Sequence, residues 1–494
     1  MSEVRVRNAP SPTGLLHIGS VRTFLYNFLF ARKNKGKYIL RIEDTDRTRF
    51  VPGSLEDIVQ NLHTLGIAAD EGPYWSSGVK YRGNFGPYIQ SERLRLYSKY
   101  AGELLQKKAA YYCFCTPERL EQLRKDQEKS KLPPKYDKLC LKLTKEESDQ
   151  KLAAGEKHVV RLNVPSDQVV EFDDLVYGKI KISTNDIDDQ ILIKSDGYPT
   201  YHLAVVVDDY EMKISHVIRA NEWVPSTPKH ILLYRAFGWP IPEYVHLPPV
   251  LSKGTGKKLA KREGDVSVKS FIEKGYLPDA IINFIAFQGW NPKTEQEIFS
   301  LEELIENFTV EGIHKAGAIF DLDKLDWFNG MYIRKMDIIE LVARVTPFLD
   351  QSGIIIEKYQ EEFLKKIISL ERERLKKLSE IGERVRYFFS EPDYNVELLI
   401  WKKSSKSEIL ESLESAKKII SNLQLPISKQ EIEKIFLGEL GDKPKGPMLW
   451  PLRVALTGLE ASPGPFEIID AFLVLRDGKE KVLKRIETAF TKLR

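Results

Sequence analysis

Val4-Arg-Val-Arg-Asn-Ala-Pro-Ser-Pro-Thr-Gly-Leu-Leu-His-Ile-Gly-Ser-Val-Arg-Thr-Phe24 holds a strand, a loop and the start of a helix in one stretch. Val4 to Arg7 reads as a short strand and Pro10 to Gly14 as a loop of turn formers. Ser20 to Lys33 reads as a helix, because Val21, Phe24, Leu25, Phe28 and Leu29 recur on one face. A loop that leaves a strand and opens a helix presents free backbone N–H groups and the positive end of the helix dipole, a setting that favours a phosphate.

The alternation continues outward. Tyr38 to Ile42 has strand character, and Ser54 is expected to cap a helix whose inward positions are Leu55, Ile58, Val59 and Leu62. Strand, helix, strand and helix together predict a parallel sheet. From about Tyr111 to Asp189 the pattern changes to short strands, turns and a Lys/Pro-rich segment, after which Ile191 to Lys194 and Ile214 to Ile218 resume as buried strands. An insertion splitting one α/β domain is the natural reading. Beyond about Phe271 helical periodicity dominates, clearest over Ala280–Phe287, Leu301–Phe308, Leu370–Phe389, Ile409–Leu423 and Phe466–Leu475. The expected fold class is α/β followed by all-α, and a chain of 494 residues is long enough for several such units.

Composition excludes more than it proposes. With 75 basic against 71 acidic residues, no global charge points to nucleic acid, so any such surface must be locally basic. Three cysteines do not make a disulfide framework. No segment is apolar long enough to cross a bilayer, and the first residues resemble neither a secretory signal nor a transit peptide, so the expectation is a cytoplasmic protein without membrane contact.

Two loops carry the chemistry. The first delivers Thr13, His17 and Gly19: a hydroxyl, an imidazole able to donate to phosphate oxygens, and a residue without a side chain against which a flat base can lie. The second, about 240 residues later, is Gly254-Thr-Gly256 followed by Lys257, Lys258, Lys261 and Arg262. A hinge with this charge density can close over a triphosphate and stabilise the negative charge that gathers on a leaving pyrophosphate.

His17-Ile18-Gly19-Ser20 and Lys258-Leu-Ala-Lys-Arg262 resemble the HIGH and KMSKS motifs of class I aminoacyl-tRNA synthetases. Ser20 stands where the last His would be, and Ala260 where a Ser is usual. Ala9-Pro-Ser-Pro-Thr13, Arg41-Ile-Glu-Asp-Thr-Asp46, Gly197-Tyr-Pro-Thr-Tyr-His-Leu203, Val217-Ile-Arg-Ala-Asn-Glu-Trp223 and Pro451-Leu-Arg-Val-Ala-Leu-Thr-Gly458 extend the resemblance over essentially the whole chain. Their wording is similar to the bacterial-type glutamyl-tRNA synthetase family.

That resemblance implies a Rossmann-like doubly wound catalytic domain with an insertion, followed by helical stem-contact and anticodon-binding domains. The implied segments are 1–110 and 190–250 for the catalytic halves, 111–189 for an acceptor-binding insertion, 251–330 for the stem-contact region with the second loop, and 331–395 and 396–494 for two anticodon-binding subdomains. The implied partners are ATP with magnesium, L-glutamate and tRNA(Glu), acting on a monomer that needs tRNA present for its first step; whether tRNA(Gln) is also charged stays open. By position in the family motifs, Thr13, His17, Gly19, Trp223, Lys258, Lys261 and Arg262 would handle ATP. Arg7, Tyr201 and Arg219 would face the glutamate side-chain carboxylate, Ser11 the α-carboxylate and Glu43 the ammonium. A pocket for two carboxylates and one ammonium needs cations for the former and an anion for the latter, and an Arg aimed at an anion rejects a neutral amide.

Two further sets follow from the resemblance. Cys113, Cys115 and Cys140 would supply three thiolates to zinc; Lys142 stands where some relatives carry a His ligand, and Tyr136, four residues before Cys140, matches the Tyr-x-x-x-Cys ligand pair of relatives that modify tRNA with glutamate, so it would be the fourth ligand. Arg453 and Thr457, in a basic, Pro- and Trp-containing stretch, would read the anticodon. A glutamyl-Q-tRNA synthetase would lack this carboxyl half, and a tRNA-binding scaffold without catalysis would not need His17, Lys258, Lys261 and Arg7.

Overall fold

The strand Arg5–Asn8 (β1) runs parallel to Lys37–Leu40 (β2), paired from Arg5↔Lys37 to Asn8↔Leu40, and the helix Ile18–Lys33 (α1) is the crossover between them. Both strands are almost wholly buried, which is what short apolar strands in a parallel sheet require. Helix α1 begins where His17 caps it, the Nδ1 atom accepting from the Gly19 N–H at 2.9 Å. Val21, Phe24, Leu25, Phe28 and Leu29 are buried, so the stripe read from sequence is the inner face of this helix. Each such side chain contributes about 1.5–3 kcal/mol by burial. The computed structural model describes residues 3–258 and 266–494.

Helix Ser54–Thr64 (α2) follows, but Ser54 does not cap it. Gly53 takes the cap position, and the Ser54 hydroxyl donates to the Val51 carbonyl at 2.7 Å while accepting from the Gly14 N–H at 3.0 Å. The serine therefore fastens the first loop, where Gly14 adopts a φ of 135° that only glycine takes readily. The hairpin Gly72–Trp75 (β3) and Val79–Arg82 (β4) leads to the helix Leu94–Gln106 (α3) and the strand Ala110–Cys113 (β5).

After β5 the chain forms the helices Pro117–Lys129 (α4) and Lys145–Ala153 (α5) and the strands Val159–Leu162 (β6), Val169–Asp174 (β7), Gly178–Ser183 (β8) and Ile191–Ile193 (β9). Here the sequence expectation fails in detail. Ile191 to Lys194 does not return to the parallel sheet; β9 pairs antiparallel with β6, which also pairs antiparallel with β5. The β7–β8 hairpin instead joins the parallel layer through Asp174↔Tyr244. Periodicity reports how deeply a strand is buried, not which edge it pairs with.

The helix Tyr201–Glu211 (α6), the strand His216–Ala220 (β10), the helix Thr227–Phe237 (α7) and the strand Glu243–Leu247 (β11) complete the layer, β10 and β11 being parallel. The Ser215 N–H donates to the Arg5 carbonyl at 2.9 Å, which sets β10 beside β1 on the edge away from β2. The order β2–β1–β10–β11, with helices between strands, is a doubly wound arrangement whose ligand crevice lies at the carboxyl ends of its strands. Val250–Ser252 (β12) pairs in parallel with Ala318–Phe320 (β13), and the helices Val268–Glu273 (α8), Pro278–Ala286 (α9) and Leu301–Asn307 (α10) lie between them in sequence; β13 is a strand in a region expected to be helical. Leu322–Lys335 (α11) comes next.

The chain divides into two compact units, Met1–Phe271 with Ile281–Leu322, and Ile272–Ala280 with Asp323–Arg494. Among the described residues after Phe320, only helices occur: Ile338–Gln351 (α12), Glu361–Arg372 (α13), Ile381–Val385 (α14), Lys406–Asn422 (α15), Lys429–Leu440 (α16), Gly446–Thr457 (α17), Pro465–Phe472 (α18) and Gly478–Leu493 (α19), with short 3₁₀ turns. They share one apolar core that includes Phe363, Ile367, Leu413, Phe436, Leu452 and Phe472. Leu370–Phe389 is not a continuous helix: α13 stops at Arg372 because the Lys376 carbonyl is taken by the Asn329 amide at 2.6 Å and the Leu378 N–H by the Gly275 carbonyl at 3.0 Å. Among the described residues no helix is long and apolar enough to cross a membrane.

Candidate active site

A cavity of about 940 Å³ opens at the carboxyl ends of β1 and β10. Its lining brings together Arg7, Ser11, Thr13, His17, Gly19, Glu43, Tyr201, Arg219, Trp223 and Lys258, residues spread over some 250 positions of sequence. All five expected glutamate-site residues are among them. Lys261 and Arg262 lie outside the described residues. The flanks of their loop are held at the cavity nonetheless: Ile18 N–H donates to Val266 O and Val268 N–H to Leu16 O, each at 2.9 Å, while Lys258 bridges Leu251. Lys258 is exposed and its ammonium pairs with Glu222, another lining residue.

The floor of the cavity is a buried charge network. Asp209, on α6, receives Arg7 at 2.9 and 3.2 Å and Arg41 at 2.7 Å, and Arg41 also reaches Glu43 at 3.1 Å. Burial opposes ionisation of Asp209, yet the two guanidiniums hold it below the usual carboxylate range. Glu43 fares differently: burial raises it to about 7, with Arg41 and Arg7 opposing only in part. A bound cation would stabilise its ionised form. Next to it, Asp208 accepts from Arg93 at 2.7 Å, Tyr97 at 2.8 Å and Gln90 at 2.9 Å, anchoring α3 and α6 under the site.

Arg219 projects from β10 with a different set of partners. Its Nε donates to His246 Nε2 at 3.1 Å, one terminal nitrogen donates to the Thr227 hydroxyl at 2.9 Å, and the other faces the Tyr201 hydroxyl and His230 Nδ1, both at 3.3 Å. Burial pushes His246 and His230 down, so both rings are neutral at pH 7, and His202 beyond them is lowered to about 4. Tyr201 packs on Trp223 with ring centroids 4.2 Å apart, forming one wall. Sequence reading missed Arg41, Asp174, Asp209, Thr227 and His246. Arg41 lies in a quoted family stretch, but the isolated Asp, Thr and His residues carry no local pattern.

In the first unit, far along the chain, Cys113, Cys115 and Cys140 place their sulfurs within 4.8 Å of one another. The Tyr136 hydroxyl stands 3.4 Å from Cys113 Sγ and 3.2 Å from Cys115 Sγ, and Cys115 Sγ is 3.5 Å from Cys140 Sγ. Zinc–sulfur bonds of about 2.3 Å at tetrahedral angles put sulfurs about 3.8 Å apart, so three thiolates and one phenolic oxygen at these spacings fit such an ion. Hydrogen bonds from Cys140 and Tyr136 push the Cys113 thiol well below the usual thiol range, against the effect of burial. In the helical unit, Arg453 is half-buried, lies 4.6 Å over the Trp450 ring and donates to the Glu460 carbonyl at 2.7 Å. Thr457 is buried and its hydroxyl donates to the Arg453 carbonyl at 2.9 Å, which spends it on closing α17.

Known proteins carry the same organisation. Residues 3–327 match the family described as tRNA synthetases class I (E and Q), catalytic domain, and residues 340–490 match an anticodon binding domain. A glutamate–tRNA ligase of Finegoldia magna is 45% identical with all of both chains covered, and one of Alkaliphilus metalliredigens is 46% identical with 99% of each covered. The crystal structure of a glutamate tRNA ligase from Elizabethkingia meningosepticum, in complex with its amino acid, superimposes with a TM-score of 0.90 at 36% identity over the whole of both chains. Identity of this order over the full length joins both the α/β and the helical unit to a single family, and the chain belongs to the glutamate–tRNA ligases of the class I tRNA synthetases.

Proposed function

We propose that the protein activates L-glutamate with Mg-ATP to glutamyl adenylate and pyrophosphate, then transfers the acyl group to the 3′ end of tRNA(Glu). The observation that carries this reading is the single cavity lined by both the helix-opening loop of His17 and the basic Lys258, with a buried, carboxylate-free Arg219 beside them. The glutamate side-chain carboxylate meets Arg219, Tyr201 and Arg7, the α-carboxylate lies by Ser11, and the ammonium pairs with Glu43 in its ionised form. Held there, the α-carboxylate attacks the α-phosphate of ATP. Thr13, His17 and the N–H groups at the start of α1 receive phosphate oxygens, Gly19 and Trp223 border the adenosine, and Lys258, Lys261 and Arg262 balance the charge leaving with pyrophosphate. No covalent intermediate with the protein is needed.

The same reading divides the chain into catalytic halves 1–110 and 190–250, an acceptor-end insertion 111–189, a stem-contact region 251–330 and anticodon subdomains 331–395 and 396–494, working as a monomer in the cytoplasm. Arg453 is the anticodon contact, since it alone of the two candidates reaches solvent. Cys113, Cys115, Cys140 and Tyr136 hold zinc, which fixes the insertion and takes no part in the chemistry; metal analysis of the purified protein checks this. The decisive experiment is ATP–pyrophosphate exchange with purified tRNA(Glu) or tRNA(Gln). Exchange that requires both glutamate and tRNA(Glu) supports the assignment, and exchange driven by another amino acid overturns it. Charging of the two tRNAs in parallel decides whether tRNA(Gln) is a second acceptor.

A further inference from the structure

Of the buried guanidiniums in or beneath the cavity, Arg7 and Arg41 are paired with carboxylates, Arg22 is spent on the backbone carbonyls of Gln288 and Pro248, and Arg219 is held differently. Arg7 and Arg41 share Asp209, and Arg41 also has Glu43. Arg219 is 5% exposed, yet among the described residues no carboxylate oxygen lies within 4.0 Å of it. Its partners are all neutral acceptors: a histidine ring nitrogen, a threonine hydroxyl, a tyrosine hydroxyl and a second histidine. Neutral acceptors fix the direction of a guanidinium while leaving its charge uncancelled.

One of these acceptors is fixed from both ends. Arg219 Nε can only donate, so His246 Nε2 must present its lone pair, and the ring proton must sit on Nδ1. His246 Nδ1 meets Asp174 Oδ2 at 2.6 Å. Asp174 is itself held by three backbone donors: Val176 and Tyr177 N–H on Oδ1 at 3.0 and 2.8 Å, and His246 N–H on Oδ2 at 3.1 Å. Every position around this carboxylate faces a donor, so only an anion or another pure acceptor suits the site. Asp174 ends β7, the strand of the inserted hairpin that joins the parallel layer beside β11.

We infer that His246 and Asp174 are positioning residues of the amino-acid pocket, holding Arg219 through a neutral acceptor so that its full charge meets a side-chain carboxylate, and thereby setting the preference for glutamate over glutamine. The inference rests on the reading of Arg219 as the anchor of that carboxylate. A carboxylate in the place of His246 would hold the arginine equally well but cancel the charge on which rejection of the amide depends.

The test is tRNA-dependent ATP–pyrophosphate exchange on the full-length enzyme and its His246→Leu, His246→Gln and Asp174→Asn variants, with circular dichroism and melting to establish folding. His246→Leu is expected to raise KM for glutamate about tenfold and to lower discrimination against glutamine by a similar factor, leaving KM for ATP within about twofold. His246→Gln keeps a neutral acceptor and recovers most of the loss. Asp174→Asn, which frees the ring to change tautomer, gives a smaller rise of about threefold to fivefold in the same parameter. A folded His246→Leu enzyme with unchanged glutamate KM and discrimination overturns the proposal, as does an equal rise in both KM values. Should the Leu variant not fold, unchanged glutamate KM in both other variants overturns it. Wild-type enzyme lacking glutamate-dependent exchange would instead bring down the underlying assignment, and this inference with it.

Discussion

The two ends of the cavity are built in opposite ways. At the end proposed for the amino acid, Arg7, Glu43 and Arg219 are buried and locked by Asp209, Arg41, His246 and Thr227, partners drawn from the residue after β2 and from α6, β11 and α7. At the end proposed for the phosphates, Lys258 is exposed and its charge rests on an exposed Glu222. Discriminating glutamate from glutamine demands fixed geometry and low dielectric, because an amide and a carboxylate differ by one charge and little shape. Holding a triphosphate that must leave as pyrophosphate demands charge that can be delivered and withdrawn. The difference separates specificity from turnover, and each can be attacked alone.

Arg219→Ala should have the largest effect: a fall of about 10³-fold in kcat/KM for glutamate with ATP binding retained, measured by exchange kinetics and by ATP titration. Equal damage to both substrates would erase the contrast between the two ends. Lys258→Ala should act on turnover, lowering kcat for exchange about 100-fold while KM for glutamate moves little. A change confined to glutamate KM would place this lysine at the wrong end.

Glu43 sharpens the comparison through pH. Its folded pKa of about 7 lies above the ordinary 4.5, so the empty fold favours the neutral acid. The sign follows: stability is fully present below pH 4.5 and is lost as pH rises toward 7, by up to about 3 kcal/mol for a shift of this size. Glutamate binding runs the other way, because its ammonium needs the anion; KM for glutamate should rise about tenfold per pH unit below 7 and level off above. Glu43→Gln should flatten the stability curve over that window and abolish this dependence in KM, read from urea melts and exchange assays at each pH. The smallest effect belongs to the cysteine cluster: chelation or Cys140→Ser should raise KM for tRNA by a few-fold and leave ATP binding unchanged, since the cluster lies outside the cavity lining.

The parts of the site legible in sequence are those with a local cause. A Pro/Gly loop between a strand and an amphipathic helix announces itself, and so does a run of lysines after two glycines; the first loop and Lys258 of the second line one cavity, while Lys261 and Arg262 lie outside the described residues. The helices α1 and α15 were equally plain because their stripes are long. What stayed hidden depends on partners far along the chain: Arg41 meets Asp209 across 168 positions, Arg7 across 202 and His246 meets Asp174 across 72. No single-residue signal marks an aspartate that will orient a histidine that will orient an arginine. The same limit explains β9, whose strand character was readable but of which only Leu192 is buried and whose pairing with β6 was not legible, and the break after Arg372, which is imposed by Asn329 and Gly275.

Sequence alone therefore determined the alternation of elements, the two charged or helix-opening loops and the chemical types present, because periodicity and backbone preference act over one or two turns of chain. Tertiary structure decided which charges are paired and which are kept: Asp209 pairs with both Arg7 and Arg41, while Arg219 is surrounded by neutral acceptors. That distinction is a property of positions in space within a few ångströms, where Coulomb energy and hydrogen bonding are settled.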